Sequence, residues 1–103
     1  MIKVSVLYPN EKGKKFDMDY YCNKHLPMVQ QKSGDACKRV TADQGLAGGE
    51  PGSPPPFIAM GQIYFDSPEA LMAAFVPHAA EFGADIPNFT DITPVIQISE
   101  VKM

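Results

Sequence analysis

FIAMGQIYFD, from Phe57 to Asp66, is the stretch on which the fold turns. Side chains alternate across a strand with a period of two. Phe57, Ala59, Ile63 and Phe65 therefore point one way, and Ile58, Met60 and Tyr64 the other. A strand that is apolar on both faces must be covered on both faces. Helices supply one cover, and something else must supply the second.

Downstream, Ser67-Pro68-Glu69 starts a helix. Serine caps the free N–H groups, proline fits the first helical position, and the acid suits the positive end of the dipole. Ala70, Leu71, Ala74 and Phe75 form its buried stripe. Pro77 interrupts it, and Gly83 is the expected end of its continuation. Residues 85–91, DIPNFTD, read as a polar-aromatic loop, and residues 94–102, PVIQISEVK, as the last strand.

Upstream, residues 46–56, LAGGEPGSPPP, are a Gly/Pro loop, long for a hairpin connection. Residues 36–45 read weakly as a strand. Residues 18–32 read as a helix capped by Asp17, with Met18, Tyr21, Cys22, His25, Leu26 and Val29 on one stripe. Pro27 falls inside this helix and predicts a kink or break near Asn23–Leu26, because proline lacks an N–H and crowds the preceding turn. Residues 2–8, IKVSVLY, alternate as a half-buried strand. The order is strand, helix, strand, strand, helix, strand. Right-handed crossovers fold that order into a ferredoxin-like βαββαβ sandwich of the α+β class, with a four-stranded antiparallel sheet and both helices on one face. The other sheet face predicts a homodimer.

Length agrees with one domain over residues 1–103. A formal net charge of −3 with no basic patch argues against nucleic acid as a partner. No apolar run is long enough to span a bilayer, so no membrane partner is expected. The start, MIKVSVLYP, lacks the apolar core of a signal peptide. Two cysteines, Cys22 and Cys37, make no disulfide scaffold. Free thiols and a cytoplasmic location are the resulting expectations.

The run FDMDYYCNKHLPMV, Phe16 to Val29, resembles the first-helix signature of the EthD family, named for ethyl tert-butyl ether degradation. The pattern is an aromatic residue, then Tyr-Tyr, then His-x-Pro. FIAMGQIYFDS and DIPNFTD are also similar to family segments. The resemblance implies a dimeric α+β barrel, two ferredoxin-like units with their sheets face to face. Its wider superfamily includes cofactor-free monooxygenases, lactone isomerases, decarboxylases, cyclases and haem-dependent proteins. A shared fold transfers no reaction.

His25 is the first candidate for chemistry. It lies four residues after Tyr21 on the inward stripe, so the two rings share a face. Imidazole serves as acid or base near neutral pH. Tyr21 or Tyr20 can donate a hydrogen bond to a developing oxyanion. His25 can equally be a core histidine tied to a backbone carbonyl. We therefore expect His25 and Tyr21 as catalytic residues, and Tyr20, Met28, Phe82 and Phe89 as substrate-binding residues. The methionines and phenylalanines also suit plain core packing. Asn88 and Asp91 suit a turn. His78 reads as a helix-surface residue, and a metal site from His25 and His78 lacks a third ligand. No metal and no cofactor is expected. The expected activity is a cofactor-independent enzyme, of oxygenase, isomerase or decarboxylase type, acting on a small apolar carbonyl or aromatic compound. The alternative is a non-catalytic dimer that binds a small hydrophobic ligand or assists another enzyme.

Overall fold

Four antiparallel strands stand in the order β2-β3-β1-β4 in the computed structural model, which describes residues 1–103. They are β1 (Ile2–Pro9), β2 (Cys37–Gln44), β3 (Phe57–Phe65) and β4 (Val95–Glu100). The central pair, β1 and β3, is the most buried because each has a neighbour on both edges. Val4 pairs with Ile63 on one side and with Ile98 on the other.

The first helical segment runs from Met18 to Ser33 in three pieces: α1 (Met18–Tyr20), a π-helical turn (Tyr21–His25) and α2 (Leu26–Ser33). Asp17 caps it, its carboxylate accepting from the Tyr20 N–H at 3.1 Å. The disruption expected from Pro27 takes the form of the wide turn. The N–H of Leu26 reaches back five residues to the carbonyl of Tyr21. Proline offers no N–H of its own, so the wider spacing forfeits little. Gly34 stops the helix with φ of +65°, a left-handed conformation that glycine tolerates.

The second helical segment is α3 (Pro68–Ala74), a 3-10 turn at Val76–His78, and α4 (Ala79–Asp85). Ser67 caps α3 by accepting from the Ala70 N–H at 3.1 Å. Pro77 breaks the segment as expected. Gly83 does not end it: α4 continues to Asp85, and a 3-10 turn covers Ile86–Asn88. Gly83 keeps a negative φ, so nothing in its backbone halts the helix.

Both helical segments lie on one face of the sheet. Beneath them Ile2, Val4, Val29, Ile63, Phe65, Leu71 and Phe82 form one buried cluster. Tyr8, Tyr21, Leu26, Ala59, Phe89 and Ile92 form a second. The helices do not reach the edge strand β4, where Ile96 and Ile98 stay about 60% exposed.

No helix covers the opposite face within one chain. There β3 presents Ile58, Met60, Gln62 and Tyr64, all half-buried, and β1 presents Leu7 beside them. A polar row crosses its middle: Ser5 donates to Gln62 at 2.5 Å, with Thr41 and Gln97 in register on the outer strands. The expectation that β3 is apolar on both sides is correct for Ile58, Met60 and Tyr64, with Gln62 as the polar interruption.

Candidate functional site

A cavity of about 100 Å³ lies between the helices and the sheet. Its walls come from both buried clusters: Tyr8, Tyr21, His25 and Leu26 from one side, Val29, Ile63 and Phe82 from the other. Only His25 and Gly83 among the lining residues are not hydrophobic. Ala79, Gly83 and Ile96 are exposed and form its mouth, between α4 and β4.

The π turn positions the chemistry. It directs Tyr21 and His25 inward, with relative exposures of 1% and 5%. Their rings stack at 5.6 Å and 15°. The same wide turn rotates Cys22 out to solvent, although the helical stripe placed it inside. The Tyr21 hydroxyl reaches the sheet directly over Gly61, where a Cβ would sit only 1.9 Å from the oxygen. Glycine in this central strand makes room for the phenol.

His25 Nδ1 lies 2.8 Å from Asp85 Oδ2. The other carboxylate oxygen, Oδ1, accepts from the Tyr20 hydroxyl and from Asn88 Nδ2, both at 2.8 Å. Burial alone pushes the Asp85 carboxyl up. The hydrogen bonds from Asn88, His25 and Tyr20 outweigh it and hold the group below the usual carboxylate range. His25 Nε2 makes no hydrogen bond to the protein and is not sealed from solvent. Phe89 packs on the ring at 4.7 Å.

Tyr8 and Tyr21 meet edge-on at 5.6 Å. Burial drives both phenols well above their ordinary pKa, and for Tyr21 the neighbouring Tyr8 adds to the effect. Each is a neutral hydrogen-bond donor at any ordinary pH. The Tyr20 hydroxyl is also shifted upward, chiefly by its bond to Asp85.

Of the residues expected from the sequence, His25, Tyr21 and Phe82 line the cavity together. Tyr20 stands behind His25 with its hydroxyl on Asp85 and its ring stacked on Phe89. Phe89 is 1% exposed and supports the imidazole from outside the cavity. Met28 packs against the other buried cluster, away from His25. His78 sits on the helix surface, 3.7 Å from Glu81. No three His, Cys, Asp or Glu side chains converge in the way a metal ion requires. Asp85, Tyr8 and Gly61 were missed. Asp85 gives no signal in the sequence, because only the extension of α4 past Gly83 makes it an acid in a last helical turn, where it opposes the dipole and needs donors of its own.

Fold and site together define a small α+β protein of ferredoxin-like topology. Beneath its helices lies an apolar cavity with a carboxylate-tethered histidine in the wall. The EthD domain model matches residues 12–93, and the chain belongs to the EthD family. An EthD-like protein of Ralstonia eutropha JMP134 superimposes with a TM-score of 0.92 at 50% identity, over 99% of this chain and 92% of that one. An ethyl tert-butyl ether degradation (EthD) family protein of Bacillus halodurans C-125 has a TM-score of 0.74 at 21% identity, over 99% of both chains, a likeness of fold. An uncharacterised 11.0 kDa protein from the thcB–thcC intergenic region of Rhodococcus erythropolis is 32% identical over 90 residues, 86% of this chain and 84% of that protein.

Proposed function

We propose that this chain is an acid–base enzyme acting on a small, uncharged, apolar carbonyl or phenolic compound. The observation that carries this is His25 itself. It stands in the wall of an apolar cavity with one nitrogen tied to a carboxylate and the other without a protein partner. In its neutral form, an imidazole so held takes a proton from a substrate carbon or hydroxyl at Nε2 and returns it later. Tyr21, a phenol that stays protonated, donates to the oxygen that gains charge in the meantime. The lining contains no lysine or arginine, so a carboxylate or phosphate substrate would be buried without a counter-charge.

The working unit in this reading is a homodimer joined through the uncovered sheet face. Leu7, Ile58, Met60 and Tyr64 give that face apolar surface, and the polar row through Ser5 and Gln62 sets its register.

The test begins with a thermal-shift screen of small aromatic, lactone and ketone compounds, because a ligand of the folded state raises Tm. Turnover of the best binders is then followed. His25→Ala should lower kcat by about 10²–10⁴-fold and Tyr21→Phe by a smaller factor, with unchanged far-ultraviolet circular dichroism. Full activity in both variants on a confirmed substrate defeats the assignment. Tight binding of a compound that is never converted would instead indicate a binding or accessory protein.

A further inference from the structure

We infer that Asp85 sets the hydrogen-bonding polarity of the cavity, so that it selects a neutral ring compound carrying a hydroxyl donor, a phenol or an enol, over a hydrocarbon or ketone of the same size. The inference rests on the cavity being a ligand site and is independent of turnover. A neutral imidazole has one donor nitrogen and one acceptor nitrogen. An ionised carboxylate only accepts. In the neutral form of His25, Asp85 Oδ2 at 2.8 Å fixes the proton on Nδ1 and leaves Nε2 as the acceptor. Tyr20 and Asn88 make this arrangement one-sided: both donate to Oδ1, which leaves Oδ2 to the histidine.

Eleven of the 13 residues lining the cavity are hydrophobic, and the Tyr8 and Tyr21 phenols are its other side-chain polar groups. Nε2 has no donor from the protein, and a ligand hydroxyl supplies one while a methyl group or a carbonyl does not. Asp85 does not line the cavity. It is a positioning residue that acts through His25.

The same geometry forecasts what Asp85→Asn does. Tyr20 and Asn88 hold Oδ1 as an oxygen, so the new amide nitrogen takes the place of Oδ2 and donates to Nδ1. The proton of the imidazole then moves to Nε2, and His25 offers the cavity a donor in place of an acceptor. A structural role alone would not invert the preference in this way.

The experiment uses the full chain and three probes of equal heavy-atom count: phenol, toluene and cyclohexanone. Nitrogen-15 NMR of the ligand-free protein reads the tautomer of His25, with the chain's other histidine, half-buried His78, as the internal reference. Nε2 is expected unprotonated in the wild type and protonated in Asp85→Asn. Calorimetric titration should give phenol about tenfold tighter than toluene or cyclohexanone in the wild type. In Asp85→Asn the order of phenol and cyclohexanone should reverse. If Asp85→Asn does not fold, the wild-type tautomer and ranking still decide. A proton on Nε2 in the wild type, equal binding of phenol and toluene, or no binding of any probe at millimolar concentration would each overturn the inference. If phenol is preferred but no compound is ever converted, the proposed activity fails and the selectivity stands.

Discussion

The two buried clusters under the helices do the same packing job with different chemistry. The cluster of Ile2, Val4, Val29, Ile63, Phe65, Leu71 and Phe82 has no polar side-chain atom. The cluster around Tyr8, Tyr21 and Phe89 carries two phenols and backs onto His25. Its rings interlock edge to face, Tyr8 meeting Phe16 at 4.9 Å and Phe89 at 5.9 Å. Hydrocarbon would fill that space at lower cost, since each buried polar atom needs a partner. The difference teaches that one half of the core holds the fold together, while the other holds polar groups in fixed positions. The cavity lies on the seam between them.

The comparison breaks most visibly if the hydrocarbon half is emptied. Phe65, fully buried and edge-on to Phe75 at 5.9 Å, should cost about 3–5 kcal/mol when changed to Ala. Urea unfolding measures this, and a loss under 1 kcal/mol would contradict the division of labour. A smaller effect is expected in the aromatic half. Gly61→Ala should cost about 1–3 kcal/mol, because its Cβ meets the Tyr21 hydroxyl. In a Tyr21→Phe background that cost should shrink, with a coupling of about 0.5–3 kcal/mol in the double-mutant cycle. Strict additivity would show that the hydroxyl is not where the clash arises.

The smallest effect separates the halves by pH. Tyr8 and Tyr21 have folded-state pKa values above the ordinary 10.0, so above that pH the unfolded chain releases protons that the folded chain keeps. Stability should then fall by about 1.4 kcal/mol per pH unit for each tyrosine. Asp85 works in the opposite direction. Its folded value is depressed, so its contribution is present above the ordinary 3.8 and is lost as pH falls below it. Chemical denaturation across pH in Tyr8→Phe, Tyr21→Phe and Asp85→Asn should flatten the matching limbs. An unchanged alkaline limb in both tyrosine variants would remove the phenols as its source.

Part of the site was legible in local pattern. Tyr21 and His25 are four apart on an apolar stripe, and that spacing alone puts both rings on one inward face. Cys22 was misplaced on the same stripe, because a regular helical period does not anticipate a π turn. Asp85 opens a segment that reads as a loop, and nothing local reveals its partner His25, 60 positions away. Asn88 likewise resembled a turn former, yet its amide serves Asp85. Gly61 inside a strong strand was the one visible sign that another group approaches the sheet closely.

Strand and helix order, the caps at Asp17 and Ser67, and the break at Pro77 follow from the sequence by itself, because each depends on residues within a turn or two of one another. Crossover handedness then orders the strands. Tertiary structure alone decided which groups meet across the core. It brought the end of α4 against the π turn, gave His25 its carboxylate, and left a cavity where two unlike clusters join. Periodicity states which side of an element is buried. It does not state what it is buried against, because that depends on how distant segments are docked.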